Sequence, residues 1–512
     1  MRKLVFFISV FALFTTTKHY GQSLYKREWG TLLPIFDRPI KPFSPKKLMV
    51  RNHFFVAEVN VNTGYLYLVN ADGDEIYEYR PNEINPKLIY KIPTGEKGGS
   101  IIENIKFDSE NNLIFTGRTT NENFATPGVY SERIMIGMSA KPSFISKINL
   151  DGKLIWFTYF HDIALNEAHL TVDKNNNIYV LNKRNKNSIT SPSFFQTKAD
   201  TNSTNEYQDA ISKLDANGKH IWSTFYTKDF SIIRSIVAGT KGLYIYGDHM
   251  NASVESNYFG TDNTHQKTIV RNRNTSGSIS SVFLSKFNFD GNRLWSTYFG
   301  EQNSNVPFGS LLKNNNTLSV IGDDAYILTS FRVGSKLDKN KNTITDNAFL
   351  KKPISNSGST TVSKFSQDGK RIWTSFLHQG EHLFANEDGL FISSANTNNI
   401  NSQDNLPITV NSYQTTHGGG NTDVYTYIVS LNGTSLEYAS FYGFEGTDSG
   451  VTLPSKHGYY VLGNTNMNLK PKSDFATKKS STKEYYKNVD YYVGDFLSYF
   501  KLNKKIKKKN DQ

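Results

Sequence analysis

At 512 residues the chain has room for two or three ordinary domains or for one large closed repeat fold, so length alone settles nothing. With 29 tyrosines, 35 phenylalanines and no cysteine, the composition points to many short strands and polar turns, and it excludes a disulfide framework and a lipidated cysteine. The formal net charge of +12 is largely terminal: removing the three cations of residues 1–21 and the net four of residues 504–512 leaves +5 on the body.

The chain opens with Arg2 and Lys3 ahead of an apolar run from Leu4 to Phe14, which reads as the basic and hydrophobic parts of a secretory signal. That run is too short to span a bilayer. Residues 1–21 are assigned as signal peptide, with cleavage before Gln22. The mature protein is expected outside the cytoplasm: secreted, periplasmic or on the cell surface.

Next comes a strand at 25–33 with no partner before it, containing Trp29. EIYEYR (75–80) and LIYKIPT (88–94) read as two strands joined by a longer loop. Four copies of one unit then follow: SFISKINLDGKLIWFTYF (143–160), DAISKLDANGKHIWSTFY (209–226), VFLSKFNFDGNRLWSTYF (282–299) and TTVSKFSQDGKRIWTSFL (360–377). Each alternates apolar and polar residues, turns at Asp-Gly or Asn-Gly, and alternates again, the pattern of a β-hairpin whose tight turn wants positive φ. DVYTYIVSLNGTSLEYASFY (423–442) is a weaker fifth copy. All five tryptophans, Trp29, Trp156, Trp222, Trp295 and Trp373, fall at one position of the repeat, and Tyr90 and Tyr438 take that position in the other two copies. Successive positions lie 61, 66, 66, 73, 78 and 65 residues apart, which argues for one structural role, a large ring packed between neighbouring units.

A second strand precedes each hairpin, at 113–119, 178–184, 243–249, 318–324, 390–396 and 459–465. The unit is therefore inner strand, second strand, long loop, third strand, tight turn, fourth strand, which is a propeller blade. The last repeat, GDFLSYFKLNKK (494–505), has a third strand but no fourth. If the strand at 27–33 supplies it, the ring closes and its open edges vanish. Fourth strands at 27–33, 88–94, 154–160, 220–226, 293–299, 371–377 and 436–442 give seven blades, six or eight requiring a miscounted weak repeat near 34–95. The expected fold is all-β: one seven-bladed propeller of four-stranded antiparallel blades over 22–503, followed by a basic tail at 504–512.

FATPGVY (124–130), DAISKLDANGK (209–219), STYFG (296–300) and NSYQTTHGGGNTDVY (411–425) resemble the bacterial β-propeller-repeat proteins of the SBBP type over nearly the whole mature chain. The resemblance implies a secreted or surface interaction module and names no ligand. Proteins of this kind often end in a sorting domain, and none is visible here.

The long insertions at 185–208, 250–281, 325–359, 397–422 and 466–493 are expected on one face, where they would meet a protein or glycan. Their aromatics Tyr130, Phe194, Phe195, Tyr258 and Tyr413 could stack on sugars, but recurrence at one place in the unit favours loop packing. His378, Glu381 and His382, with His161, could face a transition metal, yet catalytic zinc needs three ligands in fixed geometry, and no metal or cofactor is assigned. Asp173, Asn175 and Asn177 have calcium-loop spacing without the downstream glutamate, and read as a polar turn. The repeated Asp-Gly-Lys-x-x-Trp also resembles quinoprotein propellers, whose enzymes commonly use an adjacent cysteine pair absent here. No nucleophile elbow, phosphate loop or dinucleotide fingerprint is found where it would be needed. The expectation is a monomeric, non-enzymatic binding scaffold with no nucleic-acid partner. The lysine tail offers at most weak contact with an anionic surface. The alternative is a polysaccharide hydrolase or lyase using paired carboxylates at the channel mouth.

Overall fold

A computed structural model describes residues 23–33, 47–49, 55–70, 72–93, 99–134, 142–160, 169–187, 194–201, 203, 205–228, 231–250, 257–269, 280–300, 304–305, 316–332, 344–352, 358–377, 379–397, 406–468 and 491–503. These form strands and turns and no helix. Residues 1–21, expected to be a signal peptide, the lysine tail, His161 and His378 lie outside the described residues.

Seven sheets follow one another along the chain, each with a four-stranded antiparallel order, and Lys47–Met49 adds a short parallel pairing with Tyr491–Val493 in the last. Blade 1 spans 57–91, blade 2 101–160, blade 3 170–225, blade 4 231–299, blade 5 304–377 and blade 6 382–442. Blade 7 takes Thr447–Ser455, Gly458–Asn468 and Tyr491–Leu502 from the C-terminal end and Tyr25–Leu32 from the N-terminal end. The inner strands of neighbouring blades touch around a complete ring, blade 7 against blade 1 included. Closure runs from Tyr25 opposite Leu502 to Leu32 opposite Phe496, with Leu32 buried and Trp29 stacked 6.2 Å from Tyr499. The seven-bladed ring and its terminal clasp are thus as the repeat predicts.

Every fourth strand carries a β-bulge at the residue before the repeat aromatic: Glu28, Ile89, Ile155, Ile221, Leu294, Ile372 and Glu437. A bulge re-aims the side chains around it. Here the residue after it turns toward the next blade, while Ile155, Ile221, Leu294 and Ile372 are left exposed.

Two elements differ from expectation. Leu318–Ile321 is the inner strand of blade 5 and Asp324–Arg332 its second strand, paired Ile321 to Asp324 across Gly322 and Asp323. The string Ile-Gly-Asp at 321–323 imitates Tyr-Gly-Asp at 246–248, which lies within a strand, but Gly322 has φ +62° and makes a turn. In blade 1 the expected longer loop is instead strand: Glu83–Lys91 pairs back on Glu75–Arg80 with Arg80 opposite Glu83, two bulges absorbing the irregular sequence.

Candidate functional site

Five of the seven repeat aromatics brace one blade against the next. Each indole donates its Nε1–H to a carbonyl in the third-to-fourth strand turn of the following blade: Trp29 to Pro81 (2.9 Å), Trp156 to Ala216 (2.9 Å), Trp222 to Phe289 (3.2 Å), Trp295 to Gln367 (2.7 Å) and Trp373 to Leu431 (3.2 Å). All but the Trp29 ring lie on the turn glycines: a Cβ on Gly369, at φ +79°, would sit 2.8 Å from the Trp295 ring. Glycine is needed there for its φ and for the indole above it. Tyr438 has no such turn to reach, because the third and fourth strands of blade 7 come from opposite ends of the chain. Its hydroxyl instead accepts the Tyr413 N–H (3.1 Å), and its ring meets Tyr25 edge-on at 4.9 Å. Tyr90 packs 5.5 Å from Phe115, and the neighbouring Ile89 carbonyl covers Gly152 of blade 2.

The described parts of the insertions run down the outside of the ring instead of gathering on one face. In blades 2, 4, 5 and 6 a threonine (Thr126, Thr261, Thr345, Thr409) donates its N–H to the residue after the repeat aromatic and accepts that residue's N–H on its hydroxyl. Further along, the carbonyls of Ser131, Gln196, Gln266, Leu350 and Gln414 accept N–H groups of the fourth strand. The fourth strand would otherwise present a row of unpaired backbone groups, and these straps cover it. The strap of one blade also reaches the turn of the next, Tyr130 to the Gly218 carbonyl (2.9 Å), His265 to Gly369 (3.1 Å) and Phe349 to Gly433 (3.0 Å). The loop aromatics belong to this packing: Phe194 stacks 5.5 Å from Trp222, and Phe195 lies under the Arg293 guanidinium at 4.4 Å. Tyr130 and Tyr258 pack on Phe160 and Phe259, and Tyr413 packs on Phe500.

With the described rim committed to straps, the central channel offers a concave surface among the described residues. Two adjoining cavities of about 610 Å³ each share Glu58, Val59, Val61, Lys106, Val237 and Asn316, so they are two sides of one bore. That volume suits a small ligand. The bore is two-sided. Blades 1 to 3 offer Asn60, Asn62, Asn104, Asn111 and His169 with Asp108 and Asp173, whereas blades 5 to 7 offer Val320, Leu383, Phe384, Leu453 and Pro454, with Glu387, Asp388 and Lys456 in the turns at the mouth. Asn60, Asn62, Asp108, Asp173 and Lys456 belong to inner-to-second strand turns, so the cavity reaches the face that carries the tight turns.

Three acids of the bore are tied up, Glu58 with Oε2 2.5 Å from Lys106 Nζ, Asp108 with Oδ2 2.7 Å from Lys147 Nζ and Asp173 within its own turn, while Glu387 and Asp388 stand exposed at the mouth. His169 is buried beside Arg234 and Lys106, and burial first, then those cations, pushes its pKa down to about 4. Among the described carboxyls, Glu381, Asp423 and Asp448 are the ones held above the usual range, chiefly by burial, Asp423 to about 7 and Asp448 to about 6. Glu381 precedes the inner strand of blade 6, and the two aspartates lie in the seam between blades 6 and 7, at the end opposite the tight turns.

Of the residues weighed as metal ligands, His382 is fully buried with neither ring nitrogen hydrogen-bonded, and burial lowers its pKa to about 4. No group of three or more His, Cys, Asp or Glu among the described residues has metal-site geometry. Asp173 closes a turn: its Oδ1 accepts the Asn175 and Asn177 N–H groups and its Oδ2 the Asn177 amide and Tyr179 hydroxyl. The channel residues escaped the sequence reading, because they come from short inner strands that lack the hairpin pattern.

No family model matches the sequence, and no curated protein matches it. Solved structures of similar fold include the polysaccharide lyase Uly1, at 9% identity over 94% of this chain and 98% of that one, TM-score 0.41. A chain of a mitotic checkpoint complex is 8% identical over 90% and 95%, TM-score 0.41. A protein of unknown function from Dyadobacter fermentans is 8% identical over 94% and 100%, TM-score 0.34. Likeness at this level carries no functional argument.

Proposed function

We propose that this chain is a non-catalytic, extracytoplasmic glycan-binding propeller of the SBBP type, monomeric, with its ligand seated in the central channel on the tight-turn face. The observation that carries the reading is the two-sided bore. A sugar ring has an apolar face and a hydroxyl edge, and side-chain amides opposite Phe384, Leu383 and Val320 match both. The straps weaken the competing idea that insertion loops are the docking surface, since their described parts are occupied in holding the rim.

An enzyme acting on polysaccharide would need two carboxyls able to reach substrate, one of them protonated near neutral pH. Glu58 is ion-paired in the bore, while Asp423 and Asp448 are fully buried between blades. Of the other carboxyls at the cavity, Asp108 is paired with Lys147 and Asp173 closes a turn, and the carboxyls held above the usual range lie outside the lining, which favours binding over turnover. The secretory reading of residues 1–21 places such a ligand outside the cytoplasm, and the lysine tail would add weak attraction to an acidic surface.

The test is a glycan array and calorimetry with residues 22–512, with and without 504–512, alongside Phe384→Ala and Asn316→Ala. Retention of a glycan that both substitutions weaken at least tenfold supports the proposal. Release of reducing or unsaturated ends from a polysaccharide would replace it with the enzymatic alternative. Capture of a protein partner unaffected by the channel substitutions would return the binding surface to the loops.

A further inference from the structure

The seam between blades 6 and 7 is built unlike the indole-braced seams. It joins blade 6 to the clasp blade, and its repeat aromatic is Tyr438, which finds no turn carbonyl. In place of an indole brace it contains two aspartates. Asp423, near the start of the third strand of blade 6, and Asp448, near the start of the inner strand of blade 7, are both completely buried. One oxygen of each is held by hydrogen bonds: Asp423 Oδ2 accepts the Gly418 backbone N–H (2.7 Å) and the Gln414 side-chain amide (3.2 Å), and Asp448 Oδ2 accepts the Phe444 backbone N–H (2.6 Å). Asp423 Oδ1 is buried with no hydrogen-bond partner, and beside the buried Asp448 carboxyl stands the Thr465 hydroxyl, whose hydrogen bonding offsets only part of the cost of burial.

The surroundings leave little room for relief. A Cβ on Gly443 would collide with the Asp423 carboxyl, and one on Gly446 would collide with the Asn466 carbonyl, so the 443–446 segment closes over the pair. The groups that face the pair are the His417 imidazole and Gln414 from the strap, Thr465 and Asn466 from the second strand of blade 7, and the Glu381 carboxyl near Ala395 on the blade 6 side. His417 Nδ1 is 3.6 Å from Asp423 Oδ1 but accepts the Gly419 N–H (3.1 Å), so that nitrogen has no proton to give. Two carboxylates buried together without a counter-charge repel one another and have lost their hydration, and a proton on either removes the cost.

We propose that Asp423 and Asp448 form a proton-operated latch, which holds the clasp blade against blade 6 while the pair carries a proton and loosens that seam when both carboxyls are ionised. The direction agrees with the titration of the two groups. Burial raises both, and the Asp448 charge adds to the rise at Asp423, to about 7 and about 6. A carboxyl with a raised folded-state pKa favours the fold at low pH and gives up that advantage as pH climbs through its folded value. The loss therefore develops between about pH 4 and 7 and is complete above it. The Thr422 hydroxyl bonded to the Asp448 carbonyl (2.8 Å) and the Thr426–Thr452 hydroxyl pair (2.7 Å) tie the same two blades, so ionisation strains contacts along the seam.

The test is hydrogen exchange on residues 22–512 between pH 5.5 and 8.5, corrected for intrinsic rates, with melting temperature in parallel. Wild type should lose protection at 422–429 and 447–455 by at least tenfold, with blades 2 to 5 unchanged, and the Asp423→Asn/Asp448→Asn variant should show a flat profile. Either single asparagine variant should remove about half of the loss, which keeps the test decisive if the double variant does not fold. A flat wild-type profile, or an unaltered slope in the variants, overturns the latch. Full recovery of protection at pH 8.5 on adding calcium chloride alone also overturns it, making the pair a cation site.

Discussion

The indole braces make a quantitative prediction at the seam between blades 4 and 5. Trp295→Phe deletes the N–H that reaches the Gln367 carbonyl at 2.7 Å. A hydrogen bond of this kind contributes about 1 kcal/mol net, and because Gln367 is exposed water can satisfy the freed carbonyl. Trp295 is 6% exposed, so the lost five-membered ring removes some 50 Å² of buried surface, on the order of 1 kcal/mol. The expected destabilisation is about 2 kcal/mol. Gly369→Ala attacks the same contact from the other blade. Its positive φ costs about 1–2 kcal/mol, and the new methyl must displace the indole, since its Cβ would lie 2.8 Å from the ring. With phenylalanine at 295 that methyl meets a smaller ring. The double variant should therefore be more stable than the sum of the singles by at least about 1 kcal/mol, measured as urea midpoints at constant m value. Additivity within about 0.4 kcal/mol would show that indole and glycine do not share one contact, and would refute the brace.

Other consequences follow from the same geometry. Leu32→Asp puts a charge into the clasp at a residue 2% exposed and should cost upwards of about 4 kcal/mol, opening the ring into aggregating species seen by size exclusion with light scattering. Thr261→Val removes the strap hydroxyl that accepts the Ser296 N–H, for a loss of about 1 kcal/mol and faster exchange confined to 293–299. Ile372→Thr, at a bulge residue 52% exposed, should stay within about 0.5 kcal/mol of wild type in the same denaturation assay. His169 and His382 are buried in the neutral form with pKa values lowered to about 4, so the stability they permit is full above about pH 6.5 and falls as pH drops toward 4. Each contributes about 1.4 kcal/mol per pH unit across that window, against the opposite slope of the Asp423–Asp448 pair, so between about pH 6.5 and 4.5 the His382→Leu variant should lose about 3 kcal/mol less than wild type in the same denaturation assay.

The parts of this fold legible in the sequence are those whose chemistry is local. An Asp-Gly turn three to five residues before a tryptophan states the hairpin, the turn and the direction of the ring within one short window, and four nearly identical windows remove ambiguity. The clasp was legible for a different reason: Tyr25–Leu32 reads as a fourth strand and Tyr491–Leu502 as a third, so each lacks what the other supplies. Where the local signal was shared by two structures the reading slipped. Leu318–Ile321 followed by Gly-Asp looks like the middle of a second strand, and only its pairing with Asp324–Ile327 shows a turn.

The straps and the candidate sites are relations between distant segments, and alternation does not report those. Even so, a trace of the straps was present. The hydroxyls of Thr158, Thr224, Thr297, Ser375 and Ser440, two residues after each repeat aromatic, accept strap N–H groups at Ser131, Gln196, Gln266, Leu350 and Gln414. A hydroxyl repeated at a position that alternation turns toward the interior calls for a partner, and a repeated loop is the segment able to provide it. The channel and the blade 6–7 seam had no such trace. Glu58, Lys106, Asn316 and Phe384 come from four different blades, and Asp423 meets Asp448 only because the ring stacks one blade's third strand on the next blade's inner strand. In a propeller the repeat writes the frame, and what departs from the repeat, a tyrosine in place of tryptophan or an aspartate pair in one seam, is where function has to be sought.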